Sequence, residues 1–216
     1  MPIADLSHPI ADATVTTPGQ PGPRIGFWKT HAETRELYGE DTSFAFSHLD
    51  MIGATGTYLD APLHRFEHGA DVASLPLERL VSVPGIVVDA PFALGDVVDA
   101  DAVAGLDVRG RAVLVRTGWD AKFGTPAYVG GHPHLTAQAA AALVAGGAAI
   151  VGIDSVNIDS TAGGLRPVHT ALLAAGIPVV EHLRGLDVLP RDGFAFTATP
   201  LNFVGLATSP VRAVAT

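Results

Sequence analysis

Thr55-Gly56-Thr57-Tyr58-Leu59-Asp60-Ala61-Pro62-Leu63-His64 brings a phenol, a carboxylate and an imidazole together in one short segment. Side chains alternate along an extended chain, so we predict that residues 54, 58 and 60 share one face, where ligands can converge on one ion. Ala54 offers no donor atom, and the phenol of Tyr58, with a pKa near 10 in its ordinary state, is a poor zinc ligand. Of the three residues on this face, Asp60 is therefore the one that can serve as a strong metal ligand.

The composition predicts one soluble globular domain over residues 1–216. Apolar residues make up 48% of the chain and charged residues 16%, which favours a large buried core over disorder. The net charge is −9, and no cluster of Lys and Arg interrupts it. Because an acidic surface repels polyanions, we expect a small-molecule substrate and no nucleic-acid partner.

The absence of cysteine narrows the chemistry further. Disulfides, thiolate nucleophiles and Cys-based zinc sites are excluded, so His, Asp and Glu are the strong metal ligands that remain. The N-terminus lacks the basic and apolar regions of a signal peptide, and Gly146-Gly147 interrupts the apolar run from Ala139 to Ile150. These features predict a cytoplasmic protein with no membrane partner.

Strand-helix-strand units in the second half of the chain predict an α/β fold. Thr136 is a candidate N-cap of a helix that ends at Gly146-Gly147, and a second helix is predicted from about Thr170 to Ala175. The expected sheet is mixed, with a parallel strand-helix-strand portion and antiparallel additions. No phosphate-cradling glycine loop follows a strand, so nucleotide cofactors are not indicated. Four short apolar runs are predicted as buried strands: Gly85 to Asp89, Ala112 to Arg116, Ala148 to Ile153 and Ile177 to Val180.

The opening segment resembles the signature of the cyclase family, which includes the bacterial kynurenine formamidases. That signature is His-x-Gly-Thr-His-x-Asp-x-Pro-x-His, and here Ala54 and Tyr58 replace its first two His residues while Asp60, Pro62 and His64 are retained. Five further fragments match in order, so the resemblance extends over nearly the whole chain and implies the cyclase-family fold, of swivelling β/β/α type. The fragments are Asp5-Leu6-Ser7-His8-Pro9-Ile10, Arg116-Thr117-Gly118-Trp119-Asp120, Gly152-Ile153-Asp154-Ser155, His169 with Glu181, and Ser209-Pro210-Val211-Arg212.

The resemblance also implies a set of site residues. In metal-dependent members two metals are held by the signature His residues, by a His matching His169 and by carboxylates matching Asp60 and Glu181. This chain keeps Asp60, His169 and Glu181, which leaves at most one metal site, and it keeps His64 as the expected proton shuttle. Thr17 stands where a substrate-stacking Trp is expected, which argues against a formylkynurenine-like substrate.

Three functions follow as alternatives. The first is a hydrolase of a small amide, lactam, ester or lactone, with one divalent ion, Zn or Mn, on Asp60, His169 and Glu181. The second is a metal-independent cyclase, lyase or dehydratase of a small carbonyl compound, in which Tyr58 and His64 transfer protons beside Asp60 and Glu181, as in natural-product biosynthesis. The third is a ligand-binding homologue without catalysis, in which Tyr58 fills a former pocket.

The remaining His and aromatic residues are assigned structural roles. We interpret His48 as a solvated strand residue and His132 and His134 as solvent-facing residues of a Gly/Pro loop. Trp119 and the pair Phe27-Trp28 are predicted to be core or interface aromatics. High apolar content and the prevalence of closed symmetry predict a homodimer or homotetramer.

Overall fold

Parallel strands form the centre of the structure, a computed structural model that describes residues 2–216. Strands β5 (Val83–Asp89), β7 (Ala112–Arg116), β9 (Ile150–Ile153) and β10 (Val179–Glu181) lie side by side in that order and all run in the same direction. Each coincides with a predicted strand to within two residues at either end. Their Val and Ile side chains are buried on both faces, which explains why these runs lack alternation.

Two helices connect the last three of these strands. Helix α2 (Ala137–Gly146) begins after Thr136, whose hydroxyl accepts a hydrogen bond from the amide of Ala139, and it ends at Gly147 with φ +76°. Both caps agree with the sequence prediction. Helix α3 (Pro167–Ala174) begins three residues earlier than predicted, because Pro167 is accommodated at the first helical position.

Antiparallel strands extend the sheet at both edges. One edge gains β4 (Tyr58–Asp60) against β10, followed by β12 (Thr208–Pro210). The opposite edge gains three strands. They are β11 (Asp192–Thr197), β13 (Val214–Ala215) and β1 (Ala4–Asp5), which complete the nine-stranded order β1-β13-β11-β5-β7-β9-β10-β4-β12. The predicted single α/β domain with a mixed sheet is therefore confirmed.

Two further pairs of strands lie outside this sheet. Strands β6 (Val97–Val98) and β8 (His134–Leu135) form a short parallel pair. Strands β2 (Arg24–Lys29) and β3 (Phe46–Asp50) form an antiparallel hairpin that encloses helix α1 (His31–Tyr38). We call residues 24–50 the arm. The strands and helix of the arm are not predictable from the sequence pattern, because their exposed apolar residues do not follow the pattern of a core-facing element.

Hydrophobic cores cover both faces of the sheet. One contains Leu6, Leu59, Leu114 and Phe196, and the other lies between the sheet and helices α2 and α3. None of the helices in residues 2–216 is long and apolar enough to span a membrane. The site strands β4 and β10 thus lie within a packed scaffold rather than on a mobile loop.

Candidate active site

Strand pairing between β4 and β10 brings the side chains of Tyr58, Asp60 and Glu181 together. Tyr58 lies opposite Glu181 and Asp60 lies opposite Val179 in the antiparallel register. Residues opposite one another point to the same face, so the Tyr58 hydroxyl meets the Glu181 carboxylate and donates to its Oε2 at 2.6 Å. Because residues two apart also share a face, Asp60 points to the same place.

Helix α3 supplies the imidazole of the site, and Asp159 fixes its orientation. The Asp159 carboxylate accepts hydrogen bonds from the amides of Val168 and His169 at 2.8 and 2.9 Å, which caps the start of the helix. Its Oδ2 also lies 2.7 Å from His169 Nδ1. The opposite ring nitrogen, Nε2, is thereby directed between Asp60 Oδ2 and Glu181 Oε1, at 3.4 Å from each. A buried carboxylate behind an imidazole is a common device for orienting a metal-binding or catalytic His.

Both oxygens of the buried Glu181 already have donors. Oε1 accepts from the amide of Ile158 at 2.7 Å, and Oε2 accepts from Tyr58 and, at 3.5 Å, from the amide side chain of Asn157. Glu181 is therefore held in place from two sides. The Tyr58 phenol fills the position next to Glu181 and satisfies one of its oxygens.

Asp60 and His169 differ from Glu181 because their facing atoms have no hydrogen-bond partner. Both Asp60 oxygens and His169 Nε2 are buried and make no hydrogen bond within residues 2–216, although Nε2 lies 3.4 Å from Asp60 Oδ2, close enough for an ion pair. Leaving such groups buried without a partner costs several kcal/mol each. Two carboxylate oxygens and an imidazole nitrogen are the donors that a divalent transition metal prefers, so these residues fit such an ion.

His64 completes this set from the solvent-exposed side of the site. Its side chain is 41% exposed, and its Nδ1 lies 3.9 Å from Asp60 Oδ1. Ligand atoms of Asp60, His64 and His169 all lie within 4.8 Å of one another. The five residues predicted for the site, Tyr58, Asp60, His64, His169 and Glu181, are thus brought together by the fold.

The buried charges shift the pKa values of this cluster strongly. Burial and the nearby Asp60 raise the pKa of Glu181 to about 7, although His169, Tyr58 and the Ile158 amide oppose the rise. Burial alone would lower the pKa of His169, but Glu181, Asp159 and Asp60 raise it to about 10. Burial, Glu181 and Asp60 raise the pKa of Tyr58 well above its usual range. Tyr58 is therefore a hydrogen-bond donor at neutral pH, and His169 without a metal is an imidazolium.

One prediction for the signature segment is wrong. Residues 54, 58 and 60 do not form one extended face, because the segment before Tyr58 turns at Gly56, where φ is +65°. A Cβ at Gly56 would lie 2.7 Å from Ile10, so the turn also requires a glycine for packing.

Of the three other histidines considered in the sequence analysis, His48 is exposed, whereas His132 and His134 are buried or half-buried. His48 is exposed on the arm, as predicted. His132 was predicted to face solvent, and this is wrong: it is 3% exposed, and its ring nitrogens lie 3.0 Å from Thr161 Oγ1 and 3.3 Å from Ser155 Oγ. The loop that carries it folds over the end of β9, which sequence pattern alone does not reveal. His134 is half-buried in β8.

A second buried cluster adjoins Tyr58 and was missed by the sequence analysis. His182 follows Glu181 at φ +56°, and its Nδ1 lies 2.8 Å from the Tyr128 hydroxyl. Its ring centroid is 5.3 Å from that of Tyr58, and its Nε2 is buried without a partner. Burial lowers the pKa of His182 to about 3, with His8 and His132 contributing, so this imidazole is neutral. In the sequence, only the position of His182 directly after Glu181 indicated that it could lie near the site.

A family model covers the part of the chain that carries Tyr58, Asp60, His64 and Asp159. The model of the family described as "Putative cyclase" matches residues 4–160, which include β4, Asp60, His64 and Asp159. The chain belongs to the cyclase family. Helix α3 and strand β10, which carry His169 and Glu181, lie beyond residue 160, where the family model ends. The contacts in the structure place these two residues in the site.

Solved structures of similar fold extend the comparison over the whole chain. A potential metal-dependent hydrolase with cyclase activity is 29% identical, with a TM-score of 0.80 over 99% of this chain and 96% of its own. A predicted metal-dependent hydrolase from Bacillus stearothermophilus is 28% identical, with a TM-score of 0.78 over 99% and 97%. Isatin hydrolase A from Labrenzia aggregata, bound to benzyl benzoate, is 26% identical, with a TM-score of 0.83 over 99% and 92%. The likeness to the cyclase-family fold therefore extends over nearly the whole of this chain.

Proposed function

We propose that this protein is a hydrolase of a small amide, lactam, ester or lactone that uses one divalent metal ion, Zn or Mn. The observation that carries the proposal is that both carboxylate oxygens of Asp60 and Nε2 of His169 are buried without a hydrogen-bond partner. A cation bound between them would satisfy these atoms. Asp60 and His169 would hold the ion, and Glu181, with Oε1 3.4 Å from His169 Nε2, lies close enough to act as a further ligand. The neighbours described as metal-dependent hydrolases support the same reaction class.

Each side chain has a distinct task in this proposal. An ion bound here would polarise a substrate carbonyl and lower the pKa of a bound water. Glu181, held by Tyr58 and the Ile158 amide, is the base that takes up a proton inside the site. His64 lies at the solvent boundary and delivers a proton to the leaving nitrogen or oxygen. Tyr58 keeps the Glu181 carboxylate pointed at the reacting centre.

Isatin, a cyclic amide, is the first substrate to test, because one similar structure is described as an isatin hydrolase. Opening of its ring should be followed by absorbance with metal-free protein, with added Mn or Zn, and with a chelator. We expect activity that depends on the metal and is lost in Asp60→Asn, whereas His48→Asn on the exposed arm stays active. Full turnover by Asp60→Asn would contradict the proposal. If isatin is not cleaved, the same comparison is made with simple lactones and aryl esters.

A metal-independent acid-base enzyme is the second candidate. His169 lies within 3.4 Å of two carboxylates and is hydrogen-bonded to a third, so its protonated ring can balance the buried negative charge without an ion. Tyr58 and Glu181 then form a donor-acceptor pair for cyclisation or elimination. Metal content of protein purified without chelator distinguishes the two candidates. About one ion per chain, lost in Asp60→Asn, supports the hydrolase, and full activity in chelator supports the acid-base enzyme.

A further inference from the structure

A cavity of about 400 Å³ lies outside the candidate active site. Its lining comes from the segment 5–10 near the N-terminus, from Arg184, and from residues 210–212 at the end of β12. None of the five site residues lines it, so the proposed function leaves it without a role. We call it the N-terminal cavity.

One unpaired cation borders the N-terminal cavity. Arg184 is exposed, and its guanidinium group makes no hydrogen bond and no ion pair within residues 2–216. Arg212 also lines the cavity, but Asp5 accepts hydrogen bonds from its Nε and Nη2 at 2.8 and 2.7 Å. Two guanidinium groups and one carboxylate leave one positive charge in excess, on a chain whose net charge is −9. The cavity therefore favours an anion with a single charge, because Asp5 would repel a dianion such as a phosphate ester.

His8 adds a polar atom that lacks a partner. It lines the cavity, and its ring stacks on Phe123 with the two centroids 3.7 Å apart. Its Nε2 is buried and makes no hydrogen bond within residues 2–216. Burial and, after it, the charge of Arg184 lower the pKa of His8 to about 4, so the ring is neutral at pH 7. An occupant of the cavity, or a water that the occupant orders, can supply the partner that Nε2 lacks.

Much of the remaining lining is apolar. It comes from Pro9 and Ile10 in the N-terminal segment and from Pro210 and Val211 near the C-terminus. Pockets for small molecules have volumes of about 300–1,000 Å³ and combine apolar walls with a few polar groups, which describes this cavity. A guanidinium group can bind both oxygens of a carboxylate at once. A free guanidinium beside apolar walls therefore matches a carboxylate that is carried on an apolar body.

Thr57 joins the cavity to the candidate active site. The amide of His8 donates to Thr57 Oγ1 at 3.0 Å, and the Thr57 hydroxyl donates to the carbonyl oxygen of His182 at 2.6 Å. Pro210, which lines the cavity, lies opposite Tyr58 in the sheet. The cavity is therefore walled by segments that are bonded directly to β4 and to the end of β10, the strands that hold the site.

We propose that the N-terminal cavity binds a small organic carboxylate with an apolar body, with Arg184 as the charged partner of the carboxylate. Hydrolysis of an amide, lactam, ester or lactone yields a carboxylate at neutral pH, so the reaction proposed above is one source of this ligand. Carboxylates formed by other reactions are the second source. Only the first source rests on the proposed function. The binding site itself does not, because it is built from residues outside the candidate active site.

Calorimetric titration of the purified full chain with benzoate tests the proposal. We expect saturable binding at millimolar concentrations or below, weakened about 10–100-fold in Arg184→Gln because hydrogen bonds between two charged groups are lost. Arg109→Gln is the matched control, since Arg109 is also exposed but lies outside the cavity. Asp60→Asn should bind benzoate as the wild type does, although the proposed hydrolase would lose its activity. Absence of saturable binding, or wild-type affinity in Arg184→Gln, would overturn the proposal, and so would loss of binding in Asp60→Asn alone, which would place benzoate at the candidate metal site.

Two further ligands test the chemistry of the cavity without a variant. Acetate carries the charge without the ring, and benzamide carries the ring without the charge, so each should bind at least about 10-fold more weakly than benzoate. Equal affinity for all three would contradict the proposed recognition. The carboxylate released from a substrate that the protein cleaves is then titrated into Asp60→Asn in the same way. Tighter binding than benzoate identifies the reaction as the source of the ligand, and weaker binding assigns the cavity to carboxylates from other reactions; in both cases Arg184→Gln must still reduce the affinity.

Discussion

The neutral, buried His182 makes the stability of this protein sensitive to acid. Its pKa is lowered to about 3 by burial, with contributions from His8 and His132, whereas a His in the unfolded chain has a pKa of about 6.5. Between pH about 3 and about 6.5, the imidazole of His182 is therefore protonated in the unfolded state but neutral in the folded state. The stability contributed by the neutral ring is therefore present in full above pH about 6.5 and is lost as the pH falls toward 3.

The magnitude follows from the difference between the two pKa values. One pKa unit corresponds to about 1.4 kcal/mol, so the loss from His182 approaches about 5 kcal/mol at pH about 3 and is about 1.4 kcal/mol per pH unit on the way. This is a large part of the about 5–15 kcal/mol that stabilises a typical domain. His8, whose pKa burial and Arg184 lower to about 4, adds a loss of the same sign.

The variant His182→Asn isolates this contribution. Asn tolerates the left-handed backbone at φ +56° and does not titrate in this range. Urea unfolding, followed by Trp fluorescence, should be measured for both proteins from about pH 7 to about pH 4.5. The advantage of the wild type in unfolding free energy should shrink by about 2–3 kcal/mol over that range. A pH-independent difference between the two proteins would refute the reasoning, and His48→Asn controls for the loss of one exposed imidazole.

Three further predictions concern the site and its support. Asp159→Asn should weaken metal binding about 10–100-fold, measured by competition with a chromogenic chelator, because the carboxylate no longer orients the imidazole; unchanged affinity would remove this residue from the site. Tyr58→Phe should slow turnover about 10–100-fold at saturating substrate, since Glu181 loses a buried hydrogen bond worth about 1.5–3 kcal/mol; an effect on KM alone would show that the phenol only binds substrate. Gly69→Ala should lose about 1–3 kcal/mol of unfolding free energy, because its Cβ would lie 2.5 Å from neighbouring backbone, whereas Gly163→Ala, with open space around it, should stay close to wild type.

Local pattern predicted the centre of the fold well. The runs that became β5 and β7 are continuous and β-branched because both faces of a central parallel strand are buried. The caps of α2 were readable because Thr136 and Gly147 act on backbone atoms only a few residues away. The arm was missed because its apolar residues face away from the core of their own chain, so no periodic pattern marks them as strands.

The site was predictable only in part. Tyr58, Asp60, His64, His169 and Glu181 were identified through the resemblance to the cyclase family, and the fold brings them together. Asp159 and His182 were not identified. Asp159 acts on a helix ten residues away, and His182 matters because a Tyr from another loop reaches it. Neither of these two contacts is marked by a motif of neighbouring residues in the sequence.

The sequence by itself determined the class of this protein: an α/β domain of the cyclase family, without thiol chemistry and without the two signature imidazoles that Ala54 and Tyr58 replace. Only the tertiary structure decided how the atoms of the altered site are arranged. It placed the Tyr58 hydroxyl on Glu181 and left Asp60 and His169 with unpartnered donor atoms. The reason is that composition and spacing constrain only which side chains share a face. Whether a buried polar atom finds a hydrogen-bond partner depends on atoms from segments that are distant in the chain, here β4, β10, α3 and the loop before α3.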